Sequence, residues 1–345
     1  MTEEPNGLGP GVVLKDYQLE ARIGSSSLGE MYVASNIATG QKVQLEILDD
    51  SDQESIDRLS REIELLASLE HRNIVRAFDA GQESNYFYLA SEYEEGITLE
   101  DKIKQNSFIE EKEALRHVVD IARALQYAWE KRKISHRDIK PENIFITESG
   151  IAKLMGFGIA KSNESQSMGL TGVGFTIGTP EYMSPEQIKA EELDYRSDMY
   201  SLGCVLYEMI TGKMPFNESA MVLLMQKHMD EDPVPANEVN SAVSTQSTEL
   251  VSWLMKKDRE ERPSNWEGFI QYVEGVISQE TPEPSHDPSV AETTQMQLED
   301  DFSPIQEESD VVEEQVAEST KEKSGCAAIL LFSAIASMAT YLFLR

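Results

Sequence analysis

The stretch ISHRDIKPENIFI, residues 134–146, is the strongest signal in this sequence of 345 residues. It sets Asp138 shortly before a Pro-Glu-Asn turn, and apolar residues stand on both sides. Apolar runs of this length, bounded by turn residues, indicate buried segments that hold a polar loop between them. The loop therefore carries the first candidate functional residues.

This stretch resembles the catalytic loop of Ser/Thr protein kinases, in which an aspartate accepts the proton of the substrate hydroxyl and an asparagine holds a metal ion. The resemblance implies these roles for Asp138 and Asn143. It also implies that Lys140 meets the transferred phosphate. A chance match to eight residues in this context is very improbable, so the resemblance governs the expected fold.

Other motifs extend the resemblance through the second half of the chain. GTPEYMSPEQ, residues 178–187, resembles the end of an activation segment and supplies Glu186. Arg262 is similar to the arginine that pairs with this glutamate. Asp198 in RSDMYSLG is similar to the aspartate that braces the catalytic-loop backbone, and the resemblance gives Arg137 a part in organising the activation segment.

The expected fold class is α+β. It is a two-lobed protein-kinase-like fold with a small β-rich N-lobe and a large α-helical C-lobe, plus a C-terminal transmembrane helix. The predicted parts are an N-terminal tail, a kinase-like domain, an acidic disordered linker and the transmembrane helix, over residues 1–16, 17–278, 279–325 and 326–344. Strands are predicted over 17–48 and near 74–93, and helices over 111–132, 197–211, 217–229, 247–256 and 264–278.

The glycine-rich loop of the family is altered here. The sequence IGSSSLGEM, residues 23–31, keeps Gly24 and Gly29 but has Ser26 at the middle glycine and Met31 at the following valine. The middle glycine lets the backbone approach the nucleotide phosphates closely. Serine at that position predicts a mild loss of phosphate binding.

The sequence VQLEIL, residues 43–48, alternates as a half-buried strand does, so Gln44 and Glu46 share the face opposite its apolar residues. By resemblance to the family's Val-Ala-x-Lys motif, Glu46 replaces the lysine that binds the ATP phosphates. The expected helix partner of that lysine is matched by Glu62 in SREIELL. Two carboxylates would then meet where the family forms an ion pair.

The metal site and the adenine slot are altered as well. KLMGFGIAK, residues 153–161, aligns with the Asp-Phe-Gly motif but has Gly156 at the aspartate, so the principal magnesium ligand is absent and Asn143 alone remains. By resemblance, Met31, Gln44 and Phe145 surround the adenine. Each is larger than the residue usual in the family, which predicts a slot filled by side chains.

The joint loss of the phosphate lysine and the metal aspartate predicts a pseudokinase that scaffolds or allosterically regulates protein partners, a true kinase among them. On this interpretation no cofactor is expected. The alternative is a divergent active Ser/Thr kinase that uses ATP and magnesium. A third interpretation is a nucleotide sensor that binds ATP without metal.

Charge and composition narrow the partners further. The formal net charge of −32 argues against nucleic acid, because neutralising phosphates needs clustered Lys and Arg. Residues 280–320 contain thirteen Asp and Glu and no Lys or Arg, which predicts a disordered acidic linker or spacer. The two cysteines, Cys204 and Cys326, allow no disulfide framework and fit a reducing compartment.

The sequence CAAILLFSAIASMATYLFLR, residues 326–345, is uncharged up to its final arginine. As a helix, its first nineteen residues would be roughly 29 Å long, close to the hydrocarbon thickness of a bilayer. Lys321, Lys323 and Tyr341 stand where interfacial anchors would. This predicts a single-pass C-terminal anchor with the kinase-like domain on the cytoplasmic side.

Overall fold

The computed structural model describes residues 8–25, 29–49, 69–157, 161–162 and 180–279. The chain divides into two units, Met1–Glu283 and Pro284–Arg345, and all described residues belong to the first. Ser26, Glu62, the linker beyond residue 279 and the predicted membrane segment over 326–344 therefore lie outside the described residues. No helix within the described ranges is long and apolar enough to cross a bilayer.

The first half of the unit is a six-stranded antiparallel sheet with strand order β1-β2-β3-β4-β6-β5. This is the expected β-rich lobe. Its strands are β1 Val13–Leu14, β2 Tyr17–Ser25, β3 Glu30–Asn36, β4 Lys42–Asp49, β5 Ala77–Glu83 and β6 Tyr86–Glu92.

The pattern of burial along β4 follows the predicted alternation. Val43, Leu45 and Ile47 are buried in the core of the sheet, together with Tyr88 of the neighbouring strand. Because successive side chains of a strand point to opposite faces, Gln44 and Glu46 lie on the other face. The sheet begins before the predicted domain start at residue 17, since β1 pairs with β2 and buries Leu14.

The second half is the expected helical lobe. Its longest helix was predicted over 111–132 and has those bounds in the structure. The helices are α1 Leu99–Asn106, α2 Glu111–Arg132, α3 Pro185–Ile188, α4 Tyr195–Thr211, α5 Met221–Asp230, α6 Ala236–Val239, α7 Thr245–Leu254 and α8 Trp266–Gln279.

Helix α4 is the central helix of this lobe, as its almost wholly apolar sequence predicted. The Asp194 side chain accepts a hydrogen bond from the Arg196 N–H at its start, and Gly212 ends it in a left-handed conformation with φ +69°. A Cβ at residue 212 would lie 1.9 Å from the main-chain oxygen of Ser107, so glycine is required there. Cys204 is fully buried within this helix, as expected of a small core residue.

Short strands between the helices position the candidate site. Strands β7 Gly96–Thr98, β9 Ile144–Thr147 and β10 Ala152–Leu154 form one small sheet. Strand β8 Ile134–Ser135 pairs with β11 Lys161–Ser162. The loop predicted to be catalytic runs from β8 to β9, so both of its ends are fixed by strands.

Burial of histidines makes the stability of the fold depend on pH. Burial lowers the pKa of His136 and of His228 to about 4. The unfolded chain therefore binds more protons below about pH 6.5. We expect each histidine to cost about 1 to 2 kcal/mol of unfolding free energy between pH 7 and pH 5. Urea unfolding at the two pH values, compared between the wild type and a variant that lacks one of these histidines, isolates this loss from the opposite contribution of Asp198, whose pKa burial raises to about 7.

The variant His228→Gln is the control for this prediction. Glutamine cannot take up a proton in that range, so the variant should lose less stability than the wild type on acidification. Equal losses in the two proteins would contradict the prediction.

Candidate active site

The polar residues of the loop after β8 are brought together around Asp138. The Asp138 carboxylate accepts a hydrogen bond of 2.8 Å from Nδ2 of Asn143 and lies 3.2 Å from Nζ of Lys140. Nδ2 of Asn143 also donates to the main-chain oxygen of Asp138 at 2.8 Å. The base, the cation and the amide predicted from the sequence therefore form one hydrogen-bonded cluster.

A buried carboxylate on α4 holds this loop in place. Asp198 accepts the backbone N–H groups of His136 and Arg137, both at 2.8 Å. Arg137 has a left-handed conformation with φ +69°, which costs energy in a residue with a side chain. Burial raises the pKa of Asp198 to about 7, although its two backbone hydrogen bonds favour the charged form. Nε2 of Gln187 secures the same turn by donating to the Arg137 oxygen at 2.8 Å.

A second buried pair joins α3 to the segment before α8. Arg262 donates to both carboxylate oxygens of Glu186, at 2.6 and 2.9 Å, and Ser197 adds a hydrogen bond of 2.8 Å. Burial alone would raise the pKa of Glu186, but Arg262 holds it below its usual value. This is the pairing that the resemblance implied.

The position of the missing metal ligand is well defined. Gly156 has φ +77°, and a Cβ built there would lie 3.0 Å from Oδ1 of Asn143. The adjacent turn is fixed because Nε2 of His136 lies 2.8 Å from the Met155 oxygen and the His136 ring packs edge-on against Phe157 at 4.6 Å. A side chain at residue 156 would therefore lie against Asn143, the residue to which the resemblance assigns the metal.

These donors do not fit a magnesium ion. Magnesium prefers carboxylate and phosphate oxygens at nearly octahedral positions. Gly156 supplies no side-chain oxygen, and Asn143, whose amide nitrogen bonds to Asp138, offers a single uncharged amide oxygen. Among the described residues no group of three or more His, Cys, Asp or Glu could hold a metal ion.

Side chains of β3 and β4 meet near this loop. Nε2 of Gln44 contacts Sδ of Met31 at 3.8 Å across neighbouring strands. The remaining cavity is about 10 Å³, which is room for about one water molecule. It is lined by Gln44, Val75, Glu92, Glu94, Phe145, Lys153 and Met155.

The charges in this cleft are already paired. Lys153, which the sequence reasoning did not single out, lies 2.8 Å from Glu92 and also bonds to Glu94. Burial alone would lower the pKa of Lys153, but the two carboxylates raise it. Its position in the apolar strand AKL was the one available signal, because a lysine in a buried strand needs a carboxylate partner.

The positions expected to bind phosphates lie on or next to strands β2, β3 and β4. Gly29 packs against β4 so closely that a Cβ would lie 2.2 Å from the Ile47 oxygen, and Gly24 lies at the far end of β2. Glu46 pairs across from Met31 and shares the strand face of Gln44. Nζ of Lys42, at the start of β4, lies 3.8 Å from the carboxylate of Glu20 on β2.

Comparisons with known proteins agree with this geometry. A family model described as the protein kinase domain matches residues 17–273. A probable serine/threonine-protein kinase of Clostridium perfringens is 36% identical over 245 residues, covering 70% of this chain and 35% of the relative.

Two further relatives are also named kinases. The serine/threonine-protein kinase PrkC of Bacillus subtilis is 35% identical over 245 residues, covering 70% of this chain and 37% of the relative. The serine/threonine-protein kinase pkn3 of Myxococcus xanthus is 34% identical over 272 residues, covering 75% of this chain and 50% of the relative. The chain thus spans between about a third and a half of the length of these relatives.

The buried ion pair should carry much of the stability of the helical lobe. Replacement of Arg262 by alanine leaves the Glu186 charge buried without its partner. We expect this to cost about 3–5 kcal/mol of unfolding free energy. Urea unfolding monitored by circular dichroism measures the loss.

The matched control is Arg123→Ala. Arg123 pairs with Glu274 at 2.5 Å, but both side chains are close to half exposed. A surface pair of this kind is worth about 0–1 kcal/mol. Similar losses of unfolding free energy in the two alanine variants would contradict the large contribution expected of the buried pair.

Proposed function

This chain belongs to the protein kinase family, and from that premise we propose that it is a pseudokinase that regulates or scaffolds a protein partner. A true kinase is the partner class that we propose, because the chain has the two-lobed fold of that family. The observation that carries the proposal is the cavity of about 10 Å³ where adenine would lie. Sites for drug-sized ligands typically measure about 300–1,000 Å³.

Electrostatics supports the same conclusion. Two unit charges about 4 Å apart interact by roughly 4 kcal/mol at an effective dielectric constant of about 20. When Glu46 stands in place of the family's lysine, an attraction of this size to the phosphates becomes a repulsion of the same size. The change in interaction energy is therefore twice as large, before screening by solvent and salt. Micromolar binding is worth only about 8 kcal/mol in total, so the charge reversal removes a large part of the affinity available to ATP.

The intact loop is compatible with this proposal. Asp138 and Asn143 bond to each other, and Arg137 and His136 are held by Asp198. These contacts fix the loop whether or not a nucleotide binds. Retention of the loop can therefore serve the architecture of the lobe.

The alternative is an active Ser/Thr kinase that transfers the γ-phosphate of ATP to protein hydroxyls. It is favoured by the formed cluster around Asp138 and by the relatives, which are named serine/threonine-protein kinases. In that case Asp138 accepts the proton of the substrate hydroxyl, and Lys140 lies beside it to meet the phosphate. Transfer would then be abolished in Asp138→Ala.

Nucleotide binding separates these functions. We expect the melting temperature of the full chain to change by less than about 1 °C with magnesium and ATP, because ligand binding stabilises a protein only when its concentration exceeds the dissociation constant. A rise of several degrees would contradict a closed cleft. A rise that persists in a chelator would indicate a metal-independent nucleotide sensor.

The variant Glu46→Lys, Gly156→Asp completes this test. Aspartate tolerates the left-handed conformation of residue 156 better than most residues, and Asn143 needs to move only slightly to admit it. Gain of ATP binding or phosphoryl transfer in the double variant would show that the two substitutions suppress an otherwise sound site. Transfer by the wild type, lost in Asp138→Ala, would establish the active-kinase alternative instead.

We also propose that residues 326–344 anchor the protein in a membrane, with the kinase-like unit on the cytoplasmic side. The support is the run of nineteen uncharged residues in the sequence. We expect the full chain to sediment with membranes and to resist extraction by carbonate. A chain ending at residue 325 should stay in the supernatant, and equal behaviour of the two would contradict the proposal.

A further inference from the structure

Helix α5 presents an exposed run of apolar side chains at its start. Met221, Val222 and Leu223 are 46%, 76% and 49% exposed, and Ala220 just before them is exposed as well. Among the large hydrophobic residues exposed in the described part of the chain, no other three are consecutive. Such a run is unfavourable in water unless it serves a function, usually binding. The start of α5 is therefore a candidate interaction surface.

The inner side of α5 is fixed in the core of the helical lobe. Leu224 and His228 are buried one turn apart. The His228 ring lies edge-on to Phe216, with 4.9 Å between the ring centroids, and its Nδ1 lies 3.0 Å from the hydroxyl of Tyr200. These contacts set the rotation of the helix about its axis, so the exposed side is presented to solvent in a defined orientation before any partner binds.

The exposed side of α5 continues along the helix beyond its first turn. Val222, Gln226 and Met229 are spaced by four and three residues, so they lie on one side of the helix. Val222 and Gln226 are exposed, and Met229 is half-buried. Val234, which is 53% exposed, follows shortly after the helix ends. This side therefore offers apolar contacts over two turns, with one polar residue among them.

The rim of this apolar face is acidic. Lys227 is the only basic residue of the segment 217–234, and it lies 2.7 Å from one carboxylate and 3.9 Å from another. The charge of Lys257, from outside the segment, interacts with two further carboxylates but forms no ion pair with either among the described residues. The rim therefore keeps a net negative charge. Its carboxylates are those of Glu218, Asp230, Glu231 and Asp232.

We propose that this face of α5 binds a helix of a partner protein that carries an apolar stripe flanked by Lys or Arg. A helix suits the face because the backbone groups of α5 bond within their own helix, so contact is made by side chains, which a second helix presents at matching spacing. A second copy of this chain fits less well, since its α5 would bring the same acidic rim. The inference rests on the proposed function, because it names the surface through which the proposed regulator contacts its partner.

The position of α5 connects this surface to the candidate active site. Helix α5 packs against the turn Pro180–Tyr182 and against α3. Gln187 of α3 donates to the main-chain oxygen of Arg137 in the loop around Asp138. A partner helix on α5 would therefore lie next to the segment that supports this loop, which is a suitable place for contact with a regulated protein.

Binding of a labelled model peptide to the full chain, followed by fluorescence anisotropy, tests the proposal. The probe is a helical peptide of about five turns, with leucine along one side and lysine along the other. We expect saturable binding to the wild type and a roughly tenfold weaker affinity in Val222→Ser, because burial of one such side chain contributes about that much. Replacing both Asp230 and Asp232 by asparagine should also weaken binding, because it removes charge that attracts the lysines.

The matched control is Ile37→Ser. Ile37 is 58% exposed in the strand lobe, so this variant loses a comparable apolar side chain outside α5 and should bind the peptide as the wild type does. Lysine peptide attracted by the acidic residues 280–320 would bind all variants alike, so the difference between variants is the decisive quantity. A peptide with leucine and glutamate in the same arrangement should bind more weakly than the lysine peptide.

Three results would overturn the proposal. Val222→Ser could bind the lysine peptide as tightly as the wild type, Ile37→Ser could lose as much affinity as Val222→Ser, or the glutamate peptide could bind as tightly as the lysine peptide. Sedimentation equilibrium tests the second copy: self-association of the wild type that is lost in Val222→Ser would assign the face to another copy of this chain and overturn the proposal as well. None of these results bears on ATP binding, which tests the pseudokinase assignment separately.

Discussion

The structure of the helical lobe depends on one buried carboxylate, that of Asp198 on the central helix. It accepts two adjacent backbone N–H groups and thereby holds Arg137 in a left-handed turn. The neighbouring His136 then braces the turn at Met155 and packs on Phe157. Helix, loop and the turn at Gly156 are therefore one connected unit.

These contacts explain how the loop can keep the residues usual in the family while the cleft departs from them. The loop is stabilised by contacts within its own lobe, whereas phosphate binding requires charges on β4 and on the turn at Gly156. Groups that share no partners contribute almost independently to stability. On the proposed function, the charge of Glu46 on β4 alters the chemistry of the cleft, while the contacts that hold the loop lie in the helical lobe.

Much of the fold could be predicted from sequence, and the misses have physical causes. The alternation of VQLEIL and the apolar sequence of α4 gave the strand face and the central helix because burial dictates both. Helix α1 was missed because four of its eight residues are charged and only Leu99 and Ile103 are buried. The pairing of Lys153 with Glu92 and Glu94 depends on contacts between distant segments, which local patterns do not encode.

The pairing of Lys153 has a consequence for chemical probes. Reagents that acylate lysines near a bound nucleotide need an amine that can lose its proton, and the two carboxylates keep this one in its ammonium form. Such reagents would therefore label Lys153 poorly even if they entered the cleft. Compounds meant to occupy it would do better to compete for Glu92 and Glu94 with a cation of their own.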